Sequence, residues 1–181
     1  MAGKIILISG ACGTGKSTVS RILARSWGEE LTVHLHTDDF YGYIQKGYRQ
    51  PWEAESGDQN QVVMDCAAAC AKQFALGGYQ VFVDGVVGPW FLPPWRALAG
   101  QGMDLRYVVL RPEERETVSR AAKREQRAEF PLNFDTVSQI WQSLADLGDY
   151  ESHAVDTTGQ TPEESAALLR RRLEAGEFAL K

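Results

Sequence analysis

The stretch Gly10-Ala11-Cys12-Gly13-Thr14-Gly15-Lys16-Ser17 decides the fold. It matches the phosphate-binding pattern G-x-x-x-x-G-K-[ST] at every fixed position. The pattern is specific when a strand precedes it and a helix follows it. Both are predicted here, because residues 4–9 form a short apolar run and apolar residues recur at helical spacing over 17–27. The sequence therefore predicts a loop that binds nucleotide phosphates between a buried strand and a helix.

The residue types of this loop suit that chemistry. Glycines let backbone N–H groups turn inward around phosphate oxygens, and the N-terminus of the following helix adds a partial positive charge. Lys16 is expected to reach the β- and γ-phosphates, and the Ser17 hydroxyl is expected to bind Mg²⁺. The residues of this segment predicted to bind ATP are Gly10, Ala11, Cys12, Gly13, Thr14, Gly15, Lys16, Ser17 and Thr18.

Strand and helix patterns alternate along the rest of the chain. Predicted strands lie at 31–36, 80–84, 105–110 and 153–156, and predicted helices lie at 58–76 and 162–175, with another starting at Pro112. This alternation indicates an α/β fold whose parallel sheet is covered by helices on both faces. The stretches 40–57 and 126–133 fit neither pattern and are expected to be loops over the site. With 181 residues, 44% of them hydrophobic, the chain is expected to form one domain.

Composition and charge exclude several other classes of protein. The formal net charge is −5, which argues against nucleic acid as the main partner. No apolar stretch approaches the roughly 20 residues of a membrane span, and the apolar run after Lys4 is too short for a signal peptide. Three cysteines do not make a disulfide framework. We therefore expect a leaderless cytoplasmic protein without a membrane partner, and the sequence specifies no oligomeric state.

Acidic residues follow two of the predicted strands. Asp38 and Asp39 come directly after the second strand, and Asp84 ends the third, just before Gly85. The carboxyl ends of parallel strands are where α/β proteins present their site groups. One of the paired carboxylates is expected to accept a proton from a substrate hydroxyl, while the other caps the following helix or turn. Asp84 is expected to hold Mg²⁺, often through water in such sites.

Other branches of phosphate-loop proteins fit the sequence less well. It contains neither the Asn-Lys-x-Asp motif with which GTPases recognise guanine nor the Leu-Ser-Gly-Gly-Gln signature of transport ATPases. An AAA-type motor is expected to need a longer chain. These comparisons leave the small kinases.

The chain resembles the P-loop small-molecule kinases, which include nucleoside, gluconate and shikimate kinases and chloramphenicol phosphotransferase. Asp38-Asp39-Phe40-Tyr41 is similar to the nucleoside-kinase motif whose first Asp is the general base, which implies that role for Asp38. Asp84-Gly85 is similar to an acidic-Gly pair of these kinases, in which Glu is common, and the shorter Asp favours a water-bridged metal. The resemblance further implies a three-layer α/β/α sandwich with five parallel strands in the order 2-3-1-4-5.

The same resemblance implies a small lid over ATP, at about residues 120–133. Arg120, Arg124 and Arg127 lie there, and an Arg-x-x-x-Arg pair near such a lid is similar to the pattern of these kinases. Arginine suits the task because its planar guanidinium grips phosphate and spreads charge. The alternative is a solvated helix face, since acidic residues are interleaved. Thr158 lies in a segment that resembles the one beside adenine in these kinases.

Aromatic and polar residues follow the two strand ends that carry acids. They are typical of a pocket for a ring or sugar acceptor, although Trp90 could instead be a packing residue. His34 and His36 share one face of the second strand and are expected to be packed or hydrogen-bonded rather than ligands. The residues predicted to contact the acceptor are Asp38, Tyr41, Arg49, Trp52, Trp90 and Arg96.

Together these features predict a Mg²⁺-dependent phosphotransferase that moves the γ-phosphoryl group of ATP to a hydroxyl of a small molecule. Asp38, Lys16 and the three lid arginines are its predicted catalytic residues, and Ser17 and Asp84 its metal-binding residues. Three alternatives stay open: an ATP-binding switch that hydrolyses slowly, a nucleotide kinase whose acceptor is a phosphate, and a kinase of polynucleotide ends.

Overall fold

The computed structural model describes residues 2–125 and 134–181. Strands alternate with helices over this part of the chain. The strands are β1 (Ile5–Ser9), β2 (Thr32–His36), β3 (Gln80–Gly85), β4 (Leu105–Leu110) and β5 (Ala154–Val155). The helices are α1 (Lys16–Ser26), α2 (Thr37–Gly42), α3 (Gly57–Leu76), α4 (Pro93–Gly100), α5 (Glu114–Glu125), α6 (Phe134–Ser143) and α7 (Pro162–Glu174). Short 3₁₀ turns cover Ala54–Ser56, Pro89–Phe91 and Gly148–His153.

The strands form one parallel sheet in the order β2-β3-β1-β4-β5, which confirms the predicted fold and strand order. β1 is fully buried, because it pairs on both sides and is covered on both faces. A strand in that position carries apolar residues throughout instead of alternating with polar ones. The register places Ile8 of β1 and His36 of β2 on either side of Asp84 in β3. The carboxyl ends of these three strands therefore meet at one edge.

Two hydrophobic layers cover the sheet. Ile5 and Leu7 of β1 pack on the face covered by α3 and α4, where Trp95 is fully buried. Ile6 and Ile8 pack on the opposite face against α1 and α7. Successive side chains of a strand point to opposite faces, so one strand contributes to both layers. The result is the three-layer sandwich that the resemblance implied.

Three helices were not predicted. α2 follows β2 directly and has six residues, too few for a helical pattern to repeat. α4 begins with the pair Pro93-Pro94 inside the stretch interpreted as acceptor loop, and proline suits the first turn of a helix. α6 carries apolar residues at helical spacing, Val137, Ile140 and Trp141, and Leu144 continues the repeat directly after the helix, so the signal was present in the sequence. Most of the stretch 40–57 has no regular structure, as expected.

Candidate active site

The phosphate-binding loop takes a backbone shape that only glycine adopts easily. Gly13 and Gly15 have φ angles of 93° and 88°, in the left-handed region. A Cβ atom on Gly13 would also lie 2.3 Å from the carbonyl oxygen of Thr117 in α5. The loop is thus held between the end of β1 and α5, with its shape fixed by backbone geometry.

Lys16 is the first residue of α1, and only 6% of it is exposed. Its Nζ donates a long hydrogen bond of 3.4 Å to the carbonyl of Ala11. Gly15 precedes the helix and provides no side-chain cap, so the first N–H groups of α1 face the loop. A helix N-terminus with such groups binds anions. The arrangement suits phosphate oxygens.

Asp84 is fully buried at the end of β3 and is surrounded by hydrogen-bond donors. Ser17 Oγ donates to its Oδ1 at 2.7 Å, and His36 Nδ1 lies 2.6 Å from the same oxygen. His34 Nε2 contacts Oδ2. Burial favours the neutral acid, but the hydrogen bonds from His34 and His36 outweigh it and hold the pKa of Asp84 well below its usual range. The carboxylate is therefore ionised.

Asp38 lies in the first turn of α2, with its side chain 61% exposed. Its Oδ2 is 3.3 Å from Nε2 of His36. Burial opposes ionisation of Asp38, but the His36 hydrogen bond and the charge of Lys16 prevail and lower its pKa. Hydrogen bonds to Asp38 and then Asp84 raise the pKa of His36 to about 10. A protonated His36 thus links the two carboxylates.

One of the two acids was expected to cap the following helix or turn, but Asp39 does not. Position 36 occupies the N-cap of α2, and Asp39 is the third helical residue, exposed to solvent. α2 packs closely on β3, because a Cβ atom on Gly85 would lie 2.0 Å from Oγ1 of Thr37. That contact explains why glycine follows Asp84, because a side chain at position 85 would collide with Thr37. Asp38, and not Asp39, lines the cavity beside the phosphate-binding loop.

The donor set at Ser17 and Asp84 fits Mg²⁺. This ion prefers oxygen ligands and keeps several waters, so one hydroxyl and one carboxylate near bound phosphates are sufficient. Both oxygens of Asp84 already accept hydrogen bonds, which suits contact through water better than direct coordination. Over residues 2–125 and 134–181, no group of three or more His, Cys, Asp and Glu forms a metal site of its own.

A cavity of about 500 Å³ opens beside the loop, lined by Lys16 and Asp38. Tyr41, Trp52 and Trp90 line it, where an acceptor pocket was predicted. Tyr48 and Phe91, which come from the same two stretches of sequence, also line it.

Two predicted acceptor residues lie elsewhere. Arg49 extends to the carbonyl of Glu55, 3.5 Å away, and Arg96 on α4 extends to the carbonyl of Lys181. Neither is among the described residues that line the cavity. The aromatic residues around Arg49 and Arg96 in the sequence did not indicate the directions of these two side chains.

A second cavity, of about 270 Å³, lies on the other side of the loop. Gly13, Thr18 and Arg120 line it, together with Gln160. Thr158 does not line it. Its hydroxyl accepts a hydrogen bond from the N–H of Glu113 and donates to Asp156, which ties the start of α5 to the turn after β5. Gln160, and not the predicted Thr158, therefore lies at the wall of this cavity.

Of the three predicted lid arginines, Arg120 is the one whose side chain the structure describes. Its Nη2 donates to the carbonyl of Gln160 at 3.0 Å, and it forms an ion pair with Glu116. Arg127 lies outside the described residues, and so does most of the predicted lid. Arg124 lies on α5, one turn beyond Arg120.

Arg120→Ala is expected to lower kcat by roughly 10²-fold, because a charge-stabilising donor would be lost from the wall of the nucleotide-side cavity. Steady-state kinetics with saturating ATP would measure it. Arg115→Ala is the matched control, since Arg115 is an exposed arginine of the same helix and should leave kcat unchanged. An unchanged kcat in Arg120→Ala would assign Arg120 to the solvated helix face.

The His36 cluster predicts a pH dependence of stability. A histidine whose pKa rises from 6.5 to about 10 contributes stability that is complete below pH 6.5 and is lost as pH rises through about 10. Urea unfolding in EDTA, at intervals from pH 6 to pH 10, should show a steadily shrinking gap between wild type and His36→Asn. A gap that stays constant over this range would show that His36 carries no extra proton in the folded protein.

The two strand histidines were predicted to be hydrogen-bonded, but not to which group. Their spacing of two places both on one face of β2, and the strand order then places that face beside Asp84. The spacing of the two histidines was visible in the sequence. That β3, which carries Asp84, lies next to β2 was expected only from the resemblance.

Comparison with known proteins agrees with this architecture. The sequence model of a family described as AAA domain matches residues 6–142. No curated protein sequence matches the chain. Within the described parts of the chain, none of the helices has the length and apolar character to traverse a membrane.

Several solved structures share the fold. A sugar kinase from a Janibacter species has a TM-score of 0.69 and 15% identity, over 95% of each chain. The tunicamycin resistance protein of Deinococcus radiodurans has a TM-score of 0.66 and 15% identity, over 94% of this chain and 95% of that one. A gluconokinase from Sinorhizobium meliloti has a TM-score of 0.64 and 17% identity, over 97% of this chain and 98% of that one. At such identities the likeness shows the P-loop fold.

Proposed function

The chain belongs to the AAA domain family, and we propose that it is a kinase that transfers the γ-phosphoryl group of ATP to a hydroxyl of a small molecule. One observation carries this proposal: Asp38 and Lys16 stand together at the wall between the phosphate-binding loop and a cavity of about 500 Å³. A carboxylate there can face an acceptor hydroxyl while the lysine faces the phosphates. The names of two structural neighbours, a sugar kinase and a gluconokinase, agree with the proposal.

The nucleotide would occupy the loop and the cavity of about 270 Å³. Backbone N–H groups of the loop and the start of α1 would hold the β- and γ-phosphates, and Lys16 would neutralise their charge. Ser17 and Asp84 would hold Mg²⁺, which would supply positive charge to offset the charge that develops during transfer. Thr18, Arg120 and Gln160 would line the space for the remainder of the nucleotide.

The chemistry requires one base. The acceptor oxygen attacks the γ-phosphorus, the bond from that phosphorus to the β,γ-bridging oxygen breaks, and ADP leaves. The hydroxyl proton passes to the carboxylate of Asp38, whose lowered pKa keeps it ionised at neutral pH. His36 orients that carboxylate from behind, since its Nε2 lies 3.3 Å from Oδ2. Arg120 would contribute positive charge from the nucleotide side.

The alternatives make different demands on the site. A nucleotide kinase would need arginines around a second phosphate, and Arg49 and Arg96 both point away from the cavity. A kinase of polynucleotide ends would need a basic groove, which a net charge of −5 does not favour. A switch protein would hydrolyse ATP without an acceptor. The free thiols of Cys12, Cys66 and Cys70 agree with a cytoplasmic location, which we also propose.

Acceptor-dependent turnover tests the proposal. Purified protein, Mg²⁺ and ATP labelled at the γ-phosphate are incubated with and without a library of hydroxyl compounds, and label in organic products is separated from free phosphate. A kinase transfers label to at least one compound. Release of free phosphate alone, unaffected by any compound, would contradict the kinase and favour the switch.

A further inference from the structure

We propose that the acceptor is a hydroxyl compound without an anionic group, carrying a ring or a comparable apolar portion. This inference rests on the proposed kinase function and on the cavity of about 500 Å³ as its acceptor site. It separates this chain from kinases whose acceptors are sugar acids or other carboxylates, even though their fold is the same.

The charges that line the cavity carry the first part of the argument. Among the described residues, Lys16 and His36 are the basic side chains at its wall, and Asp38 and Glu53 are the acidic ones. Both ring nitrogens of His36 are already paired, one with Asp38 and the other with Asp84. Lys16 belongs to the phosphate-binding loop, so its charge is directed to the phosphates of ATP. In the part of the chain that the structure describes, no unpaired cation is left at the wall for an acceptor carboxylate or phosphate, which would face Asp38 and Glu53. A buried charge without a partner is strongly disfavoured.

The neutral hydrogen-bond donors of the cavity floor are already used. Asn60 and Ser56 are buried there. Asn60 Nδ2 donates to the carbonyl of Pro51 and to Ser56 Oγ, and its Oδ1 accepts from Tyr41. Ser56 Oγ contacts the carbonyls of Pro51 and Glu53. These groups hold one another in place, and none of their N–H groups is left to bind an anionic oxygen.

Aromatic side chains form a large part of the remaining wall. Trp52 and Trp90 line the cavity with 48% and 47% of their surface exposed, although large apolar rings are usually buried. Burial, followed by the charges of Asp38 and Glu53, raises the pKa of Tyr48, which shows that negative potential reaches this wall. Aromatic faces beside carboxylates accept flat apolar groups and cations. An uncharged or cationic acceptor fits such a surface.

The test sorts acceptors by charge. A small-molecule extract, supplemented with hydroxyl compounds of each class, is separated by ion exchange at pH 7 into anionic, cationic and unretained fractions. Each fraction is incubated with the protein, Mg²⁺ and γ-labelled ATP, with Lys16→Ala protein as the blank. We expect labelled product from the unretained or cationic fraction. An anionic derivative of the same acceptor should have a kcat/KM roughly 10²-fold lower, as expected for like charges a few ångströms apart.

Each result has one meaning. Transfer confined to the anionic fraction would overturn the acceptor class while leaving the kinase in place. Transfer in no fraction would contradict the kinase itself. Glu53→Lys should reduce the discrimination against the anionic derivative by at least tenfold, whereas Glu55→Lys, an exposed acid of the same loop that does not line the cavity, should not. Equal discrimination in wild type and both variants would count against the charge argument.

Discussion

Lys16→Ala is expected to lower phosphoryl transfer by roughly 10³-fold or more, because the charge that offsets the γ-phosphate in the transition state is removed. The variant should remain folded. Lys16 is the buried first residue of α1. The hydrogen bond from its Nζ to the carbonyl of Ala11 is long at 3.4 Å and contributes little to stability.

Two measurements separate loss of chemistry from loss of fold. Single-turnover transfer of labelled phosphate gives the rate, and thermal unfolding gives the stability. Arg21→Ala, which removes an exposed cation from the same helix, should match wild type in both. ATP affinity and activity of Lys16→Ala at wild-type levels would show that the loop is not the nucleotide site.

Asp38→Asn is expected to depress acceptor phosphorylation by roughly 10²-fold, near the lower end for loss of a general base, because the proton leaves late in a loose transition state. The amide keeps the size of the side chain but cannot take the proton. ATP affinity should stay within a few fold. Equilibrium binding of an ATP analogue and steady-state turnover would measure the two effects.

Asp39→Asn is the matched control for this prediction. Asp39 is the neighbouring acid of α2, exposed and absent from the described lining of the cavity, so its replacement should leave the rate unchanged. A larger loss of rate in Asp39→Asn would exchange the two roles. Loss of ATP binding in Asp38→Asn would make Asp38 part of the metal shell instead of the base.

The sequence predicted the nucleotide half of the site better than the acceptor half. The loop at residues 10–17 is one local motif, and each residue acts through its own backbone shape or its place at the helix start. Asp84 could be placed because it ends a short buried strand. The loop and the strand end are both defined by residues that are adjacent in the sequence, so a sequence pattern is enough to locate them.

Features that depend on packing between distant segments could not be predicted in this way. Arg49 and Arg96 looked equivalent to Trp52 and Trp90 in the sequence, yet the arginines turn to backbone carbonyls and the tryptophans to the cavity. α2 begins directly where β2 ends, so the directions of Asp38 and Asp39 follow a helical period, which a six-residue helix does not reveal in the sequence. The single domain and the roles of Arg124 and Arg127 stay predictions.

Because β2 lies at the edge of the sheet, the segment that follows it can vary in sequence while the strands that carry the nucleotide site stay the same. β1 and β3 carry the loop and Asp84 and are paired on both sides, whereas β2 is paired on one. Residues 40–57 follow β2 and supply many of the cavity's walls. Lineages of this fold can therefore exchange that segment for another without unpairing a strand. Variant libraries aimed at new acceptors belong there.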